Sequence, residues 1–382
     1  MIALNLPQAL QEHDVSRRQF LKFCTAMAGV LALPHAFGTR IAEALQETQR
    51  TPVIWLEFQD CAGCTESFLR ASRPPVAELV LDVLSVDYHE TIMAPSGQLA
   101  DQAKKATIDA GGYLLVVEGS IPTAEDGIHC CIGGQTAIDM LNEAAANAIA
   151  VVAVGNCASF GGIPQAAPNP TKAVSVTSLV TDKPVVNLPG CPLNVVNLTA
   201  TVVHFLTFGE LPAMDELSRP LFAYGDRIHD NCERRAHFDA NEFVRQWGDE
   251  GHRNGWCLYQ MGCKGPVTFH NCPIVRWNDG LSWPVGAGHG CIGCSEPGFW
   301  ELGAYHTAQI HEVNPPATYA SVEQEKRTIS AGSAGIIGGV AGLAVGAAGA
   351  AAVRQLSKPE QEAAPEEDRT EQGEAPEEDK QE

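Results

Sequence analysis

Asp60-Cys61-Ala62-Gly63-Cys64-Thr65-Glu66-Ser67 sets a C-x-x-C pair between two different patterns. The run before it, Val53-Ile54-Trp55-Leu56-Glu57-Phe58, is nearly continuous in apolar side chains and predicts a buried strand. A short helical stretch through Arg70 follows it. In an open parallel sheet, the edge where strands hand over to helices is where ligands bind. Thiolates at such an edge either grip a metal or carry out dithiol redox chemistry.

The pattern repeats outward from this junction. Apolar runs recur at Leu79–Val86, Leu114–Val117, Ala150–Val154 and Val185–Leu188, with helix-like stretches at Gln135–Ala148 and Asn194–Phe208. Short continuous runs of this kind suit a parallel sheet covered on both faces, so residues 45–210 read as a doubly wound α/β domain. Cys157 follows the fourth run, within Gly155-Asn156-Cys157-Ala158-Ser159-Phe160-Gly161-Gly162. Cys191 follows the fifth, within Pro189-Gly190-Cys191-Pro192. Cys61, Cys64, Cys157 and Cys191 are therefore expected to converge at one sheet edge. Four thiolates there suit either a [4Fe–4S] cube or a zinc ion.

Residues 211–325 change character. Strand periodicity fades, while Gly, Pro, Trp and Cys become dense. His229, Cys232, Cys257 and Cys263 form one candidate set, able to hold a [4Fe–4S] cluster or zinc. Cys272, Cys291 and Cys294 form another, one thiolate short of a cube and sufficient for a [3Fe–4S] cluster; Pro284 lies between and cannot ligate. Cys130 and Cys131 are adjacent and belong to neither pattern, which reads as structural or incidental. His289 and His306 read as packed or hydrogen-bonding histidines.

The termini carry addresses. Ser16-Arg17-Arg18-Gln19-Phe20-Leu21-Lys22 matches the twin-arginine signal, and an apolar region runs from Phe23 to Leu33. Ala42-Glu43-Ala44 is a small-x-small cleavage site, so residues 1–44 are expected to be removed, Cys24 with them. That route exports folded chains, which suits a cofactor inserted before export to the periplasmic side of the bacterial cytoplasmic membrane. Thr328 to Val353 holds no charged residue and is long enough to cross a bilayer, so residues 326–356 read as a membrane anchor. Residues 357–382 read as a disordered acidic tail. The formal charge is −21, of which Lys358 to Glu382 supplies a net −8, and nucleic-acid binding is not expected.

In this order the motifs resemble the small subunit of membrane-bound uptake [NiFe]-hydrogenases. The similarity runs from Arg17-Arg18 to about Gly303. It also includes Arg-Ile-His-Asp-Asn-Cys at 227–232, Arg-Arg-Ala-His-Phe-Asp at 234–239, Met-Gly-Cys-Lys-Gly-Pro at 261–266 and Gly-His-Gly-Cys-Ile-Gly-Cys at 288–294. The resemblance implies a flavodoxin-like first domain without flavin, then an irregular cluster-binding domain. It implies a proximal [4Fe–4S] cluster on Cys61, Cys64, Cys157 and Cys191. A medial [3Fe–4S] cluster would sit on Cys272, Cys291 and Cys294, with Pro284 at the place of a fourth ligand. A distal [4Fe–4S] cluster would sit on His229, Cys232, Cys257 and Cys263, with His229 at the solvent-facing end.

A large subunit would hold the nickel–iron site and split hydrogen; this chain would bind no nickel and break no bond. Electrons would pass to a membrane acceptor, a cytochrome b or another redox protein. Oxygen-tolerant members carry two extra cysteines where this chain has Gly63 and Gly162, which implies an ordinary proximal cube and oxygen sensitivity. Other readings are an iron–sulfur subunit of a different periplasmic oxidoreductase and a zinc-stabilised binding module. The three-cysteine set argues against zinc.

Overall fold

Five parallel strands carry the first half of the chain in the computed structural model, which describes residues 17–47, 51–70, 84–278 and 280–301. They are β1 (Thr51–Glu57), β2 (Leu84–His89), β3 (Tyr113–Glu118), β4 (Ala148–Val154) and β5 (Val185–Leu188), in the order β2-β1-β3-β4-β5. This is the doubly wound order of the flavodoxin type, whose switch point lies between β1 and β3. Of the strand expected at 79–86, residues 84–86 lie in β2, which runs on to His89, and residues 79–83 lie outside the described residues. The strand β2 outlasts its apolar run because its polar residues find partners. Asp87 accepts from Thr107 Oγ1 at 2.7 Å, and His89 lies 3.6 Å from the Glu57 carboxylate.

Strand alternation builds two cores. Val53, Trp55, Leu114, Val116, Val152, Val154, Val186 and Leu188 face one side; Ile54, Leu56, Leu115, Val117, Val151 and Ala153 face the other. Both faces are apolar, which is why the strands read as continuous runs. The second face is covered by α4 (Gln98–Ala110) and α5 (Ala137–Ala146), the first by α7 (Val195–Phe208). Local chemistry fixes the helix ends. Thr136 caps α5 through Asp139 N–H at 3.2 Å, and Asn194 caps α7 through Val196 N–H at 3.0 Å. Gly209 ends α7 with φ +72.

Two N-terminal helices, α1 (Arg17–Val30) and α2 (Phe37–Glu47), form a hairpin on the α7 side. Phe20, Phe23, Cys24, Met27, Ile41 and Leu45 join that core, and the Arg40 guanidinium lies 4.9 Å from the Phe208 ring. The expected cleavage site, Ala42 to Ala44, lies inside α2, and Ala42 is buried. The helix must unwind there before a peptidase can bind it extended.

The rest of the described chain, to residue 301, holds helices of no more than five residues and isolated bridges. All described residues belong to one unit, residues 1–319. Buried amides join its two halves. Asn197 and Asn271 exchange side-chain hydrogen bonds at 3.0 and 2.9 Å, and Asn194 Nδ2 donates to the Arg276 carbonyl at 2.6 Å. Among the described residues no helix is long and apolar enough to cross a membrane; the segments expected as anchor (326–356) and tail (357–382) lie outside them.

Candidate metal centres

The C-x-x-C turn opens α3 (Gly63–Leu69) just after β1, and Ala62 takes φ +54 with no side-chain cap of its own. Glu118, the last residue of β3, supplies that cap from across the sheet. It accepts from Cys64 N–H at 3.0 Å and from Thr65 N–H at 3.1 Å. A carboxylate at a helix N-terminus satisfies orphan donors and suits the local dipole. Burial raises the Glu118 pKa against these hydrogen bonds. Cys157 lies on α6 (Gly155–Phe160) after β4, and Cys191 follows β5. Asn156 N–H donates to the Gly190 carbonyl at 2.7 Å, which ties those two loops together.

The structure brings Cys61, Cys64, Cys157 and Cys191 together. Burial pushes Cys191 up to about 12, and the neighbouring thiols of Cys294, Cys157 and Cys61 act in the same sense. Burial likewise pushes Cys157 to about 11, against an N–H from Ile163. Cys64 accepts an N–H from Leu193 at 3.4 Å. Backbone approaches these sulfurs very closely. A Cβ at Gly155 would overlap the Cys64 sulfur, and one at Gly162 (φ +57) would overlap Cys157.

His229, Cys232, Cys257 and Cys263 also meet, around a cavity of about 20 Å³. Burial, then the Arg235 charge, pushes His229 down to about 4, so its imidazole is neutral and able to ligate. His229 itself is 6% exposed and packs edge-on against Phe238, ring centroids 4.4 Å apart, while Asn231 and Glu233 take the outside.

Cys272, Cys291 and Cys294 line a cavity of about 310 Å³ together with Pro284, Trp283 and Cys191. Cys191 lines the same cavity as Cys272, Cys291 and Cys294, and the Cys291 N–H reaches the Cys263 sulfur at 3.2 Å. The set of three therefore lies between the other two.

The spacing tests which metal fits. Tetrahedral zinc with Zn–S near 2.3 Å draws its sulfurs to about 3.8 Å of one another. Among the described His, Cys, Asp and Glu residues, the one group of ligand atoms within 4.8 Å of one another is Glu57, Asp60 and Glu118. The cysteine sets stand wider apart. Wide-set soft donors with N–H groups aimed at sulfur fit multi-iron clusters better than single zinc ions.

Several residues in these sites escaped the motif reading. Glu57, Glu118, Thr65 and His89 form a buried polar group beside Cys64; the Thr65 hydroxyl lies 2.7 Å from Glu118 and 3.0 Å from Glu57. A carboxylate closing an apolar strand at the cysteine-bearing edge was the available signal. Asn156 Nδ2 donates to the Cys294 and Glu296 carbonyls at 2.9 and 3.0 Å. Arg219 and His270 are both buried, the first donating to the Ser295 carbonyl at 3.2 Å and the second 3.0 Å from the Cys272 sulfur, and had no local signature. Burial, then the Arg219 charge, pushes His270 down to about 3. Cys131 is exposed and Cys130 packs against the core. His289 stacks on Trp247 at 5.9 Å, and His306 lies outside the described residues.

Glu90 offers a test of this polar group. Burial raises it from 4.5 to about 7, against hydrogen bonds from the Glu57 N–H and the Tyr88 hydroxyl. Between those values the folded chain binds more protons than the unfolded chain, so this contribution to stability falls as pH rises. Glu90→Gln is expected to leave the thermal midpoint unchanged near pH 4.5. At pH 8 it should stabilise by about 1–2 kcal/mol after screening. Equal shifts at both pH values would sink the assignment.

Two family descriptions match this chain. Residues 61–205 match the 20 Kd subunit of NADH ubiquinone oxidoreductase, and residues 224–306 match the C-terminal part of the NiFe/NiFeSe hydrogenase small subunit. The chain is 45% identical over 332 residues to an uptake hydrogenase small subunit of Afipia carboxidovorans, covering 86% of this chain and 90% of that one. It is 49% identical over 296 residues to a quinone-reactive Ni/Fe-hydrogenase small chain of Wolinella succinogenes, covering 76% and 83%. Its structure resembles that of a [NiFeSe]-hydrogenase chain of Desulfomicrobium baculatum, with TM-score 0.64 and 34% identity over 69% of this chain and 100% of that one. Similarity of this extent, over both the sheet domain and the cysteine-rich half, shows that the chain belongs to the [NiFe]-hydrogenase small-subunit family.

Proposed function

We propose that this chain is the electron-relay subunit of a hydrogenase complex whose large subunit holds the nickel–iron site and splits hydrogen. Cys61, Cys64, Cys157 and Cys191 would hold a proximal [4Fe–4S] cluster. Cys272, Cys291 and Cys294 would hold a medial [3Fe–4S] cluster, and His229, Cys232, Cys257 and Cys263 a distal [4Fe–4S] cluster. Such clusters, when bound, supply one-electron carriers. The observation that carries this reading is the contact of the three-cysteine set with both others, through the cavity it shares with Cys191 and the Cys291 N–H bond to the Cys263 sulfur. It supports a relay with the three sets in series.

This chain's residues space the centres and tune them. Burial keeps water from Cys64, Cys257, Cys272 and Cys291, while Cys61 is exposed, and backbone N–H groups hydrogen-bond to several of the sulfurs. Gly293 N–H reaches Cys291 at 3.4 Å and Arg234 N–H reaches Cys232 at 3.4 Å. The tight loop at Gly162 supports a first set of four thiolates and no more, because a side chain there would displace Cys157. The proposal extends to export by the twin-arginine route, anchoring through residues 326–356 on the periplasmic side, and a cytochrome b or other redox protein as acceptor. The sequence motifs alone support that part.

Metal analysis of the complex isolated from membranes tests the reading. About one nickel and roughly twelve iron per copy of this chain are expected. Iron without nickel would sink the hydrogenase assignment and leave electron transfer standing. Zinc with little iron would overturn both.

A further inference from the structure

We propose that His270 is a positioning residue of the electron relay: its Nδ1–H donates a hydrogen bond to the Cys272 sulfur and raises the reduction potential of the centre held by Cys272, Cys291 and Cys294. The inference rests on the reading of those three cysteines as iron–sulfur ligands.

The geometry is direct. His270 Nδ1 lies 3.0 Å from Cys272 Sγ, and both residues are buried, at 2% and 5% exposure. A sulfur bound to iron is a thiolate and can only accept a hydrogen bond. The ring proton therefore sits on Nδ1, and Nε2 keeps its lone pair. That Nε2 is buried with no hydrogen-bond partner among the described residues. Leaving a buried acceptor unsatisfied is costly, so a histidine is a poor choice here for stability alone.

Its surroundings hold the ring in place. Trp277 stacks on it at 6.0 Å and 19°, and Tyr224 meets it edge-on at 5.1 Å and 89°. The Tyr224 hydroxyl donates to the Pro189 carbonyl at 2.8 Å, in the loop that carries Cys191. The His270 backbone N–H donates to the Asp226 carbonyl at 3.2 Å. The N–H is thus aimed at the sulfur before any cluster binds.

The sign of the effect follows from charge. Reduction adds negative charge that spreads onto the ligand sulfurs. A donor aimed at one of them stabilises the reduced form more than the oxidised form, and low dielectric strengthens that difference. Most sulfur donors in this chain are backbone N–H groups, which substitution cannot remove. His270 is a side chain, so its contribution can be taken away.

The test is an EPR-monitored redox titration of the three-iron signal in the purified heterodimeric complex. His270→Phe keeps a flat ring without the donor and should shift the midpoint potential downward with iron content unchanged. His270→Gln, which restores an N–H, should recover part of the shift. An unshifted potential in a fully loaded His270→Phe complex would overturn the proposal. Pulsed EPR on wild-type complex with ¹⁵N-labelled histidine gives an answer that does not depend on any variant folding. A nitrogen coupling to the three-iron spin is expected, and its absence would also overturn the proposal. Absence of any three-iron signal from the wild-type complex would instead refute the ligand reading itself.

Discussion

Gly155→Ala should strip about four iron atoms from each copy of this chain and cut hydrogen oxidation by at least ~100-fold. Gly155 has φ +78, and a Cβ there would overlap the Cys64 sulfur. The left-handed backbone alone costs a non-glycine residue about 1–2 kcal/mol. The larger effect is geometric. Cys64 cannot retreat, because Glu118 holds its N–H at 3.0 Å and Leu193 N–H meets its sulfur at 3.4 Å. Either the Gly155 loop moves, carrying Cys157 with it, or the Cys64 sulfur leaves its place. Both outcomes break the four-thiolate set. Gly209→Ala is the matched control, since Gly209 has φ +72 and no atom of the described residues lies within 4 Å of its Cβ position. It should pay the backbone cost and keep all its iron. Iron analysis of the two complexes decides the matter; a fully loaded Gly155→Ala complex would sink the close-approach argument.

Arg219→Met is expected to destabilise the chain by about 3–5 kcal/mol, the cost of leaving a buried carboxylate unpaired. The Arg219 side chain is 5% exposed, and its Nε donates to Asp215 at 2.7 Å. Its terminal NH group donates to Glu296 at 3.1 Å and to the Ser295 carbonyl at 3.2 Å. Glu296 in turn accepts Phe269 N–H at 2.6 Å. One guanidinium therefore ties the segment at Asp215, the Cys294 loop and the strand-like segment before Cys272. Burial already raises the Glu296 pKa, so losing the cation should drive it to bind a proton. Arg219→Met combined with Glu296→Gln should recover part of the lost stability, because no charge is then left without its partner. Arg219→Lys should recover less than wild type, since a lysine cannot reproduce the planar fork. Thermal midpoints at one fixed scan rate compare the three. An unchanged midpoint for Arg219→Met would show that the network carries no stability.

Sequence alone determined the sheet domain and the sorting of the cysteines. Runs such as Leu114–Val117 and Val185–Leu188 have one stable place, the middle of a sheet apolar on both faces, so a covered parallel sheet and its cysteine-bearing edge follow from local pattern, whereas the strand order β2-β1-β3-β4-β5 is seen only in the structure. The first four cysteines group because each follows an apolar run at the same sheet edge, as in Gly155-Asn156-Cys157 after Ala150–Val154 and Pro189-Gly190-Cys191 after Val185–Leu188. The first and last residues of elements were less legible. β2 runs on to His89 because Glu57, from the neighbouring strand, gives that histidine a partner. Only the tertiary structure decided that Glu118 caps the C-x-x-C helix from 54 positions away, that Arg219 joins segments 76 positions apart, and that His229 is buried beneath Phe238. It also decided which cysteine sets adjoin, through contacts between loops far apart in the chain, such as the Cys291 N–H to the Cys263 sulfur. The physical reason is range. Periodicity and turn residues record what each segment needs from its immediate neighbours, whereas the partner of a buried charge or ring is chosen by packing after the chain has closed on itself.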